Sequence, residues 1–144
     1  DRGGWKDKYA MTLNWRNFTR LTAVFPASPA ASFTVQQSGT YFIVEGLAAT
    51  DTTRLNDYLD AVSLLTVSSY SDDPVVTDSL KGIDPEVIIT AYDVGNRSYS
   101  LALYPKAARS TGIPGIINDR QLAFFSREKL VPVLYQRTYF DVKK

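Results

Sequence analysis

The sequence predicts one α+β domain, an antiparallel β-sheet carrying two helices. Three observations carry that expectation. A chain of 144 residues with 44% hydrophobic and 22% charged side chains is the size and composition of a single self-sufficient core. Short runs of aromatic and β-branched residues alternate with polar ones and are broken by Gly-containing turns, which is the period of half-buried strands. Only two segments, after Thr50-Asp51 and after Ser126, combine a capping residue with apolar positions at helical spacing.

Residues 1–16 are polar and aromatic and read as an arm ending in an edge strand. Phe18 to Phe25 is a strand that Pro26 closes. Ser32 to Gln37 alternates, with Phe33 and Val35 on one side and Thr34 and Gln36 on the other. Ser38-Gly39 suits a tight hairpin turn, because Gly tolerates positive φ, and Thr40 to Leu47 is the returning strand. Thr50 or Asp51 then caps a helix with Leu55, Tyr58, Leu59, Val62 and Ala61 or Leu65 on one face. That helix fades between Thr66 and Ser71, and Asp72-Asp73-Pro74 reads as a turn leading into a loop with Gly82 and Pro85.

Glu86 to Val94 and Ser98 to Tyr104 form the clearest hairpin, turning at Gly95-Asn96, with Tyr99, Leu101 and Leu103 on one face of the second strand. Pro105 to Arg120 reads as a long connection in which Ile116-Ile117 can pair briefly. Leu122 to Phe125 is a further strand, and Ser126 caps a last helix reaching toward Tyr135, with a boundary or kink near Pro132. The order strand, strand, strand, helix is therefore stated twice. Leu21-Thr22-Ala23-Val24 aligns loosely with Ile89-Thr90-Ala91-Tyr92, so a duplicated β-β-β-α unit over residues 18–71 and 85–140 is one account of it and chance another.

The run from Leu21-Phe25 through Phe33-Gln37, Tyr41-Phe42-Ile43-Val44, Ala49-Thr50-Asp51 and the helix Arg54-Leu55-Asn56-Asp57-Tyr58-Leu59 resembles the bacterial domain of unknown function 4340. Leu64-Leu65 before a polar turn, Gly82-Ile83-Asp84-Pro85 before a strand and the closing Tyr139-Phe140 suit the same pattern, so the likeness spans roughly residues 18–140. Where that family usually has Trp in the third strand, this chain has Tyr41 or Phe42. The resemblance implies an extracytoplasmic, often membrane-anchored protein, in some cases associated with transporters of the gliding-motility type. It brings no catalytic residues.

Composition narrows the chemistry further. Cysteine and histidine are both absent, so thiol nucleophiles, disulfides, Ser-His-Asp triads and ordinary zinc sites cannot be built. A net charge of +1 gives no general drive toward nucleic acid. The charge is uneven: residues 51–86 hold eight acidic side chains against two basic ones, and the rest hold fourteen basic against seven acidic. Such a split can orient a domain at a charged surface, although two regions facing each other within the fold are the simpler account. The longest uncharged stretch, Leu21 to Val44, is interrupted by Pro26, Pro29 and Gly39 and does not read as a membrane span. The chain opens at Asp1 without a signal peptide and reads as a trimmed or mature segment, attached to a membrane only through an anchor outside it.

Four features are candidates for function. Lys106, Arg109 and Arg120 give the 105–120 connection a basic character suited to an anionic group or partner. Trp5 and Trp15 lie in the N-terminal arm and could stack on a sugar or anchor a partner. Asp72, Asp73, Asp78 and Asp84 gather carboxylates, but without the alternation and Gly of a calcium loop they read as a solvated turn. Tyr41, Tyr92, Tyr99 and Tyr104 fall on strands, where packing against the sheet is the simpler role.

No catalytic residue, metal or cofactor is expected. The function read from the sequence is a non-catalytic interaction or assembly module on the outer side of a bacterial membrane, its partner another envelope protein. A glycan- or peptide-binding module using the Trp residues is the alternative. A hydrolase built only from carboxylates, Tyr and Lys is a third, for which no motif selects a pair.

Overall fold

The computed structural model describes residues 8–11 and 18–142. Eight strands form one antiparallel sheet: β1 (Phe18–Val24), β2 (Phe33–Ser38), β3 (Tyr41–Val44), β4 (Ser69–Ser71), β5 (Val87–Asp93), β6 (Ser98–Leu103), β7 (Ile113–Ile117) and β8 (Gln121–Phe125). Their order across the sheet is β3-β2-β1-β5-β6-β7-β8-β4. Three helices accompany them, α1 (Thr52–Ser63), α2 (Pro74–Leu80) and α3 (Arg127–Leu130), with short 3₁₀ turns at Val131–Val133 and Arg137–Phe140.

Alternation decides which face is buried. Leu21 and Ala23 of β1, Phe33 and Val35 of β2, Val87, Ile89 and Ala91 of β5, and Leu101 and Leu103 of β6 all point to one side and are buried. A bulge between Phe18 and Arg20 turns Phe18 to that side as well, although simple alternation from Leu21 would put it outside. Leu55, Tyr58, Leu59 and Val62 of α1 close the core from above, together with Leu130, Val133 and Phe140 of the C-terminal segment. Asp51 caps α1 by accepting from the Arg54 N–H at 3.1 Å. The chain end is tied down by the Asp51 N–H donating to the Phe140 carbonyl at 2.7 Å and the Val142 N–H donating to Ala49 at 3.2 Å.

The sheet runs outward from its centre in two meanders, β1-β2-β3 one way and β5-β6-β7-β8 the other. The two segments that align in the sequence pair with each other, with Thr22 opposite Thr90. The two halves differ otherwise: three strands, β1–β3, precede α1, whereas four, β5–β8, precede α3, and α1 has 12 residues against four in α3.

Four expectations change. Ser69–Ser71, expected where the first helix fades, is the edge strand β4, with Tyr70 opposite Ala123 of β8. A third helix, α2, replaces the loop expected after Pro74. Asp73 is its N-cap, accepting from the Val75 N–H at 2.9 Å, and Pro74 occupies the first turn, where its missing N–H costs nothing. Its Val76 and Leu80 pack on Leu122 and Phe124, on the sheet face opposite α1. The last helix stops at Leu130 instead of continuing toward Tyr135, because Pro132 lacks the N–H that would extend it, and 3₁₀ turns follow. The 105–120 connection contains a full strand, β7. Pro114 fits inside it because the Tyr104 carbonyl, which its missing N–H would have faced just past the end of β6, accepts from the Ala107 N–H at 3.0 Å instead.

The β5–β6 hairpin is held by a buried acid. The Asp93 carboxylate accepts from the N–H groups of Gly95 at 2.9 Å and Arg97 at 3.0 Å, and from the Arg97 guanidinium at 3.1 Å. Burial pushes its pKa up, but those N–H groups and the Arg97 charge outweigh it and hold the carboxyl below its usual range. A depressed folded-state pKa contributes stability that is present above the unfolded value, about 3.9, and is lost as pH falls through the folded one. Asp93→Asn is expected to lower stability at neutral pH and to flatten its dependence on pH below about 4. Urea melts of both proteins between those acid conditions and neutrality check this, and parallel curves would show that the charge contributes nothing.

Candidate functional site

One face of the sheet is covered by α1 and the C-terminal segment. Among the described residues, the other is covered only at its β7–β8 end, by α2. Over β2, β1, β5 and β6 the outward side chains fall into ranks set by the strand register. The first is Gln36, Arg20, Tyr92 and Ser98, and the second is Thr34, Thr22, Thr90 and Ser100. The third is apolar, running from Val24 through Ile88 and Ala102 to Ile116. In the first rank the Arg20 guanidinium lies over the Tyr92 ring, 4.5 Å from its centroid, and in the third Val24 is 45% exposed. With strands about 4.8 Å apart and same-face residues about 6.8 Å apart, this open face measures roughly 20 Å by 20 Å.

At the end of that face, where β5 and β6 part, lies a cavity of about 350 Å³. Glu86 is brought there because its N–H donates to the Leu103 carbonyl at 2.8 Å, just before β5 begins. Ile83, Pro85, Pro105 and the Tyr104 ring supply apolar walls, with Ala27 of the β1–β2 connection opposite. Asp84, Glu86 and Lys106 supply the charge. Desolvation raises the Tyr104 pKa, and the nearby charges of Asp119 and Asp84 raise it further.

A second constellation sits beside the start of α1. The Tyr135 and Tyr139 rings stack with centroids 3.7 Å apart and planes within 2°. Arg54 lies over Tyr139 at 4.7 Å and donates to its carbonyl at 3.0 Å. Desolvation, and then the hydrogen bond with Tyr135, raise the Tyr139 pKa, while the Arg54 charge opposes this. Arg54, Leu134, Gln136 and Thr138 join the two rings around an open groove of about 380 Å³.

The residues singled out in the sequence are dispersed by this fold. Lys106 and Arg109 both precede β7, whereas Arg120 follows its far end, and the strand between them is roughly 17 Å long at about 3.4 Å per residue. All three side chains are exposed, and only Lys106 joins a cavity, beside two carboxylates. Trp5 and Trp15 lie outside the described residues. Asp73 is engaged as the α2 cap, Asp78 pairs with Lys81 at 3.4 Å, and Asp84 lines the cavity. Among the described residues no three His, Cys, Asp or Glu side chains are grouped to hold a metal. Of the strand tyrosines, Tyr99 packs on the core, Tyr92 and Tyr104 occupy the opposite face, and Tyr41 is 57% exposed on the edge strand β3.

Sequence reasoning missed Asp84, Glu86 and Tyr104 as neighbours of Lys106. The hairpin 86–104 was legible and places Glu86 beside Tyr104, so that much of the cavity could have been found. Compared with protein-family models, curated proteins and solved structures, the chain finds no match.

Proposed function

We propose that this chain is a non-catalytic interaction or assembly module of an extracytoplasmic bacterial envelope protein, and that its partner docks on the open face of the sheet. The observation that carries the reading is the face itself, with Arg20 and Tyr92 in one rank, an apolar rank through Val24 and Ile88, and hydroxyls between them. Arg and Tyr beside aliphatic side chains are the residue types that anchor protein partners. The size of the face sets the strength. About 400 Å² in plan is half the roughly 800 Å² per partner of a standard interface, so docking on this face alone is weak and exchangeable. The envelope location rests on the family resemblance of residues 18–140.

A photo-crosslinking residue at Thr90, at the centre of the face, tests this in solubilised bacterial envelope, with the same residue at Asp57 on α1 as the comparison. A single adduct from position 90, lost when Arg20→Glu and Tyr92→Ala are added, is the expected result. An adduct from position 57 but none from 90 would remove the open face from consideration.

A second reading, a glycan- or peptide-binding module, is favoured by the Arg54–Tyr139–Tyr135 constellation. Aromatic faces beside Gln136 and Thr138 offer stacking and hydrogen bonds to a sugar ring. Retention of the protein on immobilised envelope glycan, abolished by Tyr135→Ala, would favour it over the first.

A further inference from the structure

The cavity where β5 and β6 part has properties that the docking face does not use. Its volume of about 350 Å³ is at the lower end of small-molecule sites, roughly 300–1,000 Å³. Its walls are apolar at Ile83, Pro85 and Pro105, and its charged groups converge without pairing. Neither Asp84 nor Glu86 has an ion-pair partner among the described residues, nor does Lys106. Two carboxylates against one ammonium leave the lining net negative. The Tyr104 ring adds a π-face, which attracts a cation.

We propose that this cavity binds a small organic cation, an ammonium carried on a short apolar or aromatic body, with Asp84 and Glu86 facing the charge and Tyr104, Pro85 and Pro105 packing on the body. Lys106 stands at the same opening and opposes the ligand, so it tunes the affinity downward. The raised Tyr104 pKa fits the same negative surroundings, since it reflects desolvation and then the charges of Asp119 and Asp84. The proposal does not depend on a partner docking on the sheet.

Calorimetric titration of the whole chain at low salt with phenethylammonium, and with phenylacetate as its anionic counterpart, provides the test. Phenethylammonium is expected to bind with a Kd on the order of 1 mM, and phenylacetate not to bind. Asp84→Asn and Glu86→Gln should each weaken binding by about threefold, the size of a partly solvated charge contact, whereas Lys106→Gln should tighten it by a similar factor. The opposite signs separate ligand recognition from a fold defect, which would weaken all three alike. Ring resonances of Tyr104, located by comparison with Tyr104→Phe, should move during the titration. Equal binding of phenylacetate, weaker binding in Lys106→Gln, or no heat and no Tyr104 shift with 10 mM phenethylammonium, about tenfold above the expected Kd, would each overturn the assignment.

Discussion

Phe140→Ala is expected to lower the unfolding free energy by about 3–5 kcal/mol, a large part of the roughly 5–15 kcal/mol that holds a domain of this kind together. Phe140 is fully buried in the last 3₁₀ turn and meets Phe33 of β2 at 5.0 Å and Tyr58 of α1 at 5.3 Å between ring centroids. It therefore joins the chain end, the helix and the sheet in one cluster. Truncation removes its apolar burial and leaves a cavity that three elements must collapse to fill. The Asp51 N–H bond to its carbonyl survives the substitution but loses the side chain that fixes it. Denaturant unfolding at constant m-value measures the loss, and a change below about 1 kcal/mol would show that the cluster does not anchor the chain end.

The same cluster holds the opposite case. The Tyr58 hydroxyl is buried without a hydrogen-bond partner among the described residues, and burial alone drives its pKa well above the ordinary phenol value. Leaving a buried donor unmet costs about 1–3 kcal/mol, so Tyr58→Phe, which keeps the ring, is expected to be neutral or to stabilise by about 1 kcal/mol.

Gly112→Ala is the second large effect, with an expected loss of about 3 kcal/mol. Gly112 has φ +129°, and an added Cβ would stand 2.7 Å from the Phe125 carbonyl oxygen. That oxygen belongs to the backbone of β8 and cannot swing aside as a side-chain tip could. The substitution must distort the 109–112 turn, where the Arg109 and Gly112 backbones bond reciprocally at 2.8 and 2.9 Å, or push β7 off β8. Gly39 is the control: its φ is +65°, an added methyl group there would meet nothing within 4 Å, and Gly39→Asn should cost far less. Thermal unfolding of the two variants side by side distinguishes a backbone clash from a positive φ alone.

The elements that sequence reading found share a property: each is defined by its own neighbours. The α1 face of Leu55, Tyr58, Leu59 and Val62 repeats at helical spacing behind an Asp cap, and all four are buried. Phe33 and Val35 alternate with Thr34 and Gln36, and the hairpin 86–104 states its own turn. The elements it missed are those in which local signals are short or contradictory. The seven residues of α2 are too few to show a period and include Val75, Val76 and Thr77, which favour strands. In β7, Pro114 and Gly115 argue against a strand, and only the early end of β6 and the tight packing at Gly115 make them acceptable there.

By itself the sequence determined the chemistry that is excluded, the antiparallel α+β class, and which sides of β2 and β6 are apolar, because these follow from residue type and from spacings of two or about 3.6 along the chain. Only the tertiary structure decided that β1 pairs with β5, that no described residue covers one sheet face over four strands, and that Lys106 shares a cavity with Asp84 and Glu86 while Arg120 lies at the far end of β7. Those outcomes depend on which distant segments share a ladder. Strand period marks the face a side chain takes but carries no information about its neighbour across the sheet.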